Sequence, residues 1–132
     1  ELMPAIKGLP EDTKFTIITF ESGIGYWNKG LVTADSKNKT MGSLFVDRLA
    51  SAGGTSALAG LKAALGVSGA DMIFFLSDGQ PSDGSPEKII EEVGRINAKR
   101  KVVIHSIGLG DDKDEQFMKD LAEANGGIYT EK

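Results

Sequence analysis

The chain has 132 residues, of which 40% are hydrophobic and 26% charged, with a net charge of −4 and no cysteine. That is the profile of one globular domain with a sizeable core, and it excludes disulfides and thiolate metal centres. Its lysines and arginines are scattered, so it offers no surface for a nucleic-acid backbone, and no apolar run is long enough to span a bilayer. The start of the chain carries no signal-peptide pattern.

Residues 1–8 read as a short helix or the end of one, closed by Gly8 and Pro10. FTIITF at 15–20 reads as a strand, 21–25 as a turn, and 26–32 as a weaker strand paired with the first in an antiparallel hairpin. Residues 36–40, SKNKT, are polar and read as a loop. Met41, Leu44, Phe45 and Leu49 then mark a helix with one apolar face, and Leu58, Leu61 and Leu65 mark another after Gly53-Gly54. The run 71–77, DMIFFLS, reads as a central strand buried on both faces. Ser85 is placed to N-cap a helix with Pro86 at its first position, burying Ile89, Val93 and Ile96. KVVIHSIG at 101–108 is a further buried strand. Residues 114–125 form the last helix, with Phe117, Met118 and Leu121 inward and Asn125-Gly126 as its C-cap, before a short strand at 128–130. Strand and helix alternate from residue 71 onward, which predicts an α/β fold with a doubly wound, mostly parallel sheet and helices on both faces.

The chemistry concentrates at two junctions. Asp78 stands where the central apolar strand gives way to a glycine-bearing loop, and Thr55 stands at a loop-to-helix junction. In such sheets ligands bind beyond the carboxyl ends of the strands, and a hydroxyl with a carboxylate on neighbouring loops is part of a hard-cation site. Thr55 also suits a plain N-cap, and Asp78 a plain Asp-Gly turn. Ser77 and Ser82 are loop residues near the same end, and Asp83 reads as a solvated turn residue. His105, inside an apolar strand, reads as a satisfied core histidine. The acidic group Asp111, Asp112, Asp114 and Glu115 opens a helix, where the macrodipole favours negative charge. Ser106-Ile107-Gly108-Leu109-Gly110 lacks the third glycine of a dinucleotide site.

Four segments, GGTSALAGL (53–61), FFLSDGQPSDG (74–84), VVIHSIGLG (102–110) and LAEANGGIY (121–129), together resemble the von Willebrand factor type A domain, with FTIITF fitting its second strand. The general similarity is to bacterial members. The resemblance implies a protein-binding or adhesion module rather than an enzyme. It further implies a metal-ion-dependent adhesion site in which Thr55 and Asp78 are two of the ligands to Mg²⁺, Ca²⁺ or Mn²⁺. An open position on the ion would take an acidic side chain from a protein partner. The family's Asp-x-Ser-x-Ser motif occurs nowhere in this sequence, and the match begins near the end of the family's first helix. The expectation is therefore a domain lacking its first strand, with its cation site impaired in this chain alone.

That resemblance also places the missing strand between the strands at 15–20 and 72–76. Either those two pair directly, or a strand comes from upstream residues or from a second copy by strand exchange; the second arrangement is the expected one. Secreted or cell-surface placement follows from the resemblance alone. Two other functions compete: a metal-independent scaffold, and a phosphoryl-transfer or receiver-type domain with Asp78 as acceptor. The latter needs a lysine after a later strand, where the sequence reads Gly108-Leu109-Gly110.

Overall fold

Two stretches of strand-forming sequence build two separate cores, as the computed structural model of residues 2–20, 23–47, 56–77, 80–110 and 113–131 makes plain. The first core gathers around a hairpin. Its strands are β1 (Lys14–Phe15), β2 (Ile18–Thr19), β3 (Gly25–Tyr26) and β4 (Val32–Thr33). β2 pairs antiparallel with β3 and β1 with β4, as the hairpin pattern predicts. The second arm is not one strand, however. Ile18 lies opposite Tyr26 while Phe15 lies opposite Val32, so three extra residues bulge out of the second arm. Asn28 causes the break: its side-chain amide donates to the Gly30 carbonyl at 2.6 Å, and its own carbonyl accepts from the Thr16 hydroxyl.

Two helices cover one side of this hairpin, α1 (Leu2–Lys7) and α2 (Ser36–Asp47). Ile6, Phe15, Ile17 and Ala34 are buried between them, with Trp27 stacked on Phe15 at 5.1 Å. The loop expected at 36–40 is instead the first turn of α2. Asp35 accounts for the difference, because its carboxylate accepts from the Asn38 amide at 2.9 Å and its carbonyl from the Lys39 amide. A capped start lets a polar sequence without apolar periodicity run as helix.

The second core belongs to a parallel sheet of β5 (Met72–Ser77), β6 (Val103–Gly108) and β7 (Tyr129–Glu131), in the order β5-β6-β7. Helices α3 (Ala57–Leu65), α4 (Pro86–Arg100) and α5 (Glu115–Ala124) pack on it through Leu61, Leu65, Ile89, Val93, Phe117, Met118 and Leu121. Ser85 caps α4 by accepting from the Lys88 amide, with Pro86 next to it, as expected; Asp114, expected only as part of an acidic helix start, caps α5 through the Phe117 amide. Asn125 ends α5, and Gly126 follows it at φ +72°. The next residue, Gly127, passes so close to β6 that an added Cβ would stand 1.8 Å from the Ile104 carbonyl oxygen. The fold is thus α/β, with α1 and α2 on one side of the strands and α3, α4 and α5 on the other.

β5 departs from expectation in one respect. Phe75 is buried, but Met72 and Phe74 are 47% and 52% exposed, as is Ile128 beside β7 at 67%. Helices α3–α5 occupy only the Phe75 side, and no described element covers the side that carries Phe74. His105 stacks on Phe74 at 5.2 Å, and its Nδ1 accepts from the Ile128 amide at 3.0 Å, so it is satisfied but half-buried. Val103 donates to the Asp71 carbonyl and Leu109 to that of Ser77, so alternate residues of β5 face β6. The backbone groups of Met72, Phe74 and Leu76 point to the opposite edge, where no described strand pairs with them. Direct pairing of the 15–20 and 72–76 segments is therefore not the arrangement found.

Buried polar groups close the α4–β6 and α5–β7 turns. The Asn97 side chain exchanges hydrogen bonds with both backbone groups of Val102 at 2.8 Å and donates to the Asn125 side chain at 2.9 Å, while Asn125 donates to the Leu121 carbonyl. Replacing Asn97 by Ala leaves the buried Val102 amide and carbonyl without partners. A loss of about 2–4 kcal/mol is expected in urea unfolding, since each orphaned group costs about 1–3 kcal/mol.

At the far edge, Lys113 binds Glu131 at 2.6 Å and ties the β6–α5 loop to β7. Hydrogen bonding to Lys113 lowers the Glu131 pKa from 4.5, and the same bond raises that of Lys113. The tie therefore holds between these limits and loosens as pH falls through the lowered Glu131 value. Amide exchange at Thr130, corrected for intrinsic rates, should accelerate at pH below 4.5 in the wild type, and Glu131→Gln should abolish that pH dependence.

Candidate functional site

The carboxyl ends of β5 and β6 share one end of the sheet, fixed by the pairing of Ser77 with Gly108 and the Leu109–Ser77 hydrogen bond at 3.0 Å. The chain leaves β5 there, and Asp78 is the next residue in sequence. Both Asp78 and Thr55 lie outside the described residues. What the structure describes is the chain immediately beside each: Ser77 before Asp78, and Ser56 after Thr55.

Those flanking segments are bound to one another. Asp83, on the loop after β5, reaches the first turn of α3. One carboxylate oxygen accepts from the Leu58 amide at 3.0 Å, the other from the Ala59 amide at 2.9 Å. The first amides of a helix have no partner within it and carry its partial positive charge, so a carboxylate is well suited to them. Ser56 stands at the N-cap position of α3 but makes no side-chain capping bond to it. Asp83 is exposed in a bend, as the reading of a solvated turn residue expects, but it also makes two long-range bonds that the reading did not include. Its partners are 24 and 25 residues away in sequence, a distance at which local turn preferences say nothing.

Around this end the chemistry is oxygen-rich. Ser82 and Ser85 share the Asp83 loop, and Ser85 is committed to capping α4. Lys113 reaches back over Gly108 and donates to the Gly110 carbonyl, so a lysine does stand beyond β6. It was missed in the sequence because it follows the strand end by five residues. Its ammonium is engaged by Glu131. Ser106 is turned inward, its hydroxyl donating to the Met118 carbonyl at 2.6 Å. Among the described residues no group of three or more His, Asp or Glu side chains could hold a metal ion. No helix among them is long and apolar enough to cross a membrane.

Comparison with known proteins places this geometry. The von Willebrand factor type A domain pattern matches residues 2–130. Human von Willebrand factor A domain-containing protein 3A is 29% identical over 117 residues, 87% of this chain and 10% of that protein. Inter-alpha-trypsin inhibitor heavy chain H2 of Mesocricetus auratus is 28% identical over 134 residues, 91% of this chain and 14% of that protein. The chain therefore spans about a tenth to a seventh of these relatives.

Among solved structures, a von Willebrand factor type A protein from Catenulispora acidiphila superposes with a TM-score of 0.86 at 19% identity, over 99% of this chain and 32% of that one. Proximal thread matrix protein 1 from the mussel byssus, with a zinc-occupied MIDAS motif, superposes with a TM-score of 0.73 at 21% identity, over 98% of this chain and 34% of that one. These two likenesses agree in fold. The chain belongs to the von Willebrand factor type A domain family.

Proposed function

We propose that this domain is a protein-binding module in which Thr55 and Asp78 give oxygen ligands to a divalent cation, Mg²⁺ or in its place Ca²⁺ or Mn²⁺. When bound, the ion offers an open coordination position to an acidic side chain of a partner protein. The observation that carries this reading is the Asp83 bridge, which holds the loop after Asp78 against the helix that begins just after Thr55. The two positions are thereby tethered through short stretches of chain, three residues from 55 to 58 and five from 78 to 83.

The donor set fits in kind. A hydroxyl and a carboxylate are the hard ligands Mg²⁺ takes, with water completing its octahedron. It is short in number, with one anionic ligand, so the chain's own affinity is weak. The structural relative with a zinc-occupied MIDAS motif supports a metal in this fold. Secreted or cell-surface placement belongs to the same reading.

Mn²⁺ titration followed by water-proton relaxation tests it. Weak binding, about millimolar, is expected, tightened by acetate as a model of the partner's carboxylate. Asp78→Ala should abolish it while costing under about 2 kcal/mol of stability. Unchanged Mn²⁺ binding in that variant would sink the proposal. A larger stability loss would assign Asp78 to the turn itself.

A second reading, association without metal, has its own support in the open edge of β5 and the exposed Phe74 side. An edge whose three amides have no partner among the described residues, beside an apolar face, accepts an added strand, from upstream residues of a longer chain or from a second copy by exchange. On this reading light scattering at rising concentration shows a dimer, and Phe74→Lys weakens it. A wild type monomeric throughout would rule out the exchange between copies.

A further inference from the structure

We propose that Asp83 is a positioning residue for the site, a clasp that sets the separation between the Thr55 and Asp78 positions. This rests on the reading that those two residues share a ligand. Asp83 spends both carboxylate oxygens on consecutive amides of α3, at 3.0 and 2.9 Å. Charge-assisted bonds to a helix start are among the stronger hydrogen bonds, and two from one side chain fix direction as well as distance.

The segment that carries Asp83 is itself anchored. Two residues later, Ser85 caps α4 through the Lys88 amide, and the turn between them presses Gly84 against Ile89, whose Cγ1 would lie 3.2 Å from an added Cβ. Ile89 is fully buried in the sheet core. The loop thus joins the starts of α3 and α4, and no described side chain of α3 itself serves the Leu58 and Ala59 amides. Removing the carboxylate frees the first turn of α3.

The absence of cysteine from the chain gives a clean test. In the full chain carrying Thr55→Cys and Asp78→Cys, the rate of disulfide formation under diamide reports how often the two positions meet. With Asp83 in place cross-linking should be rapid. Adding Asp83→Ala should slow it at least tenfold, and Asp83→Asn, which keeps one acceptor oxygen, should fall between.

Amide exchange, read without the cysteines, is the second measurement. Leu58 and Ala59 should exchange at least tenfold faster in Asp83→Ala while Ile104 in the core stays unchanged. Equal cross-linking rates with and without Asp83 would overturn the clasp. So would acceleration at Ile104 as large as at Leu58, which would make Asp83 a support of the whole fold. Mn²⁺ affinity in the chain with Thr55 and Asp78 intact should fall in step with exchange at Leu58. A wild type that binds no Mn²⁺ removes the shared-ligand reading, and the cross-linking rate still decides the clasp.

Discussion

Phe75 joins the two halves of this molecule. Its ring stacks on Phe20 of the hairpin at 5.3 Å and meets Phe117 of α5 edge-on at 6.4 Å. Among the described residues the hairpin and the parallel sheet share no hydrogen-bonded ladder, and side-chain packing on the α3 side joins them. Gly60 of α3 reinforces the joint: an added Cβ there would stand 2.8 Å from the Phe20 side chain. Because Phe20 and Phe75 meet on that side, Phe15 and Ile17 face the opposite side, where α1 and α2 cover them. The two-sided layering of the domain follows from this one aromatic contact and the alternation of strand side chains.

The same contact governs where the loops emerge. Pairing of β5 with β6 brings their carboxyl ends to one level, and α3, held by Phe20 and by the sheet core, presents its amino end beside them. Arg100 steadies the other end of α3, donating to the Leu65, Val67 and Ala70 carbonyls ahead of β5. Helix α3 is therefore gripped at both ends by side chains distant in sequence, Asp83 at its start and Arg100 at its finish. A rigid helix between two such grips is a suitable base for a binding loop, because ligand groups must be held to within a fraction of an ångström.

Much of this was legible in the sequence, and the exceptions share a cause. The helix through Ile89 and Val93, the strand ending in Gly108 and the last helix with Phe117, Met118 and Leu121 follow from periodicity and local caps. The first turn of α2 was hidden because Ser36–Thr40 has no apolar face, and only the Asp35 cap declares it. Asp83 was hidden because its partners are remote in the chain, and an Asp-Gly pair in isolation signals nothing but a turn. Phe74 was misjudged because an apolar run cannot tell whether one face or both will be covered. Thr55 and Asp78 stood out in the sequence as chemistry. The Asp83 bond between the segments that flank them did not, because it is a tertiary contact.

Two cores with a narrow joint have a consequence for order of assembly. The segment from α3 to β7 closes its own core through neighbouring elements, and it contains both the Asp83 bridge and the Asn97–Asn125 lock. The hairpin with α1 and α2 buries a smaller, separate cluster. Such clusters open as distinct cooperative units, the smaller at lower free energy. Asp83 and the start of α3 thus belong to the sturdier unit, and fraying of the amino-terminal half leaves their mutual anchoring in place.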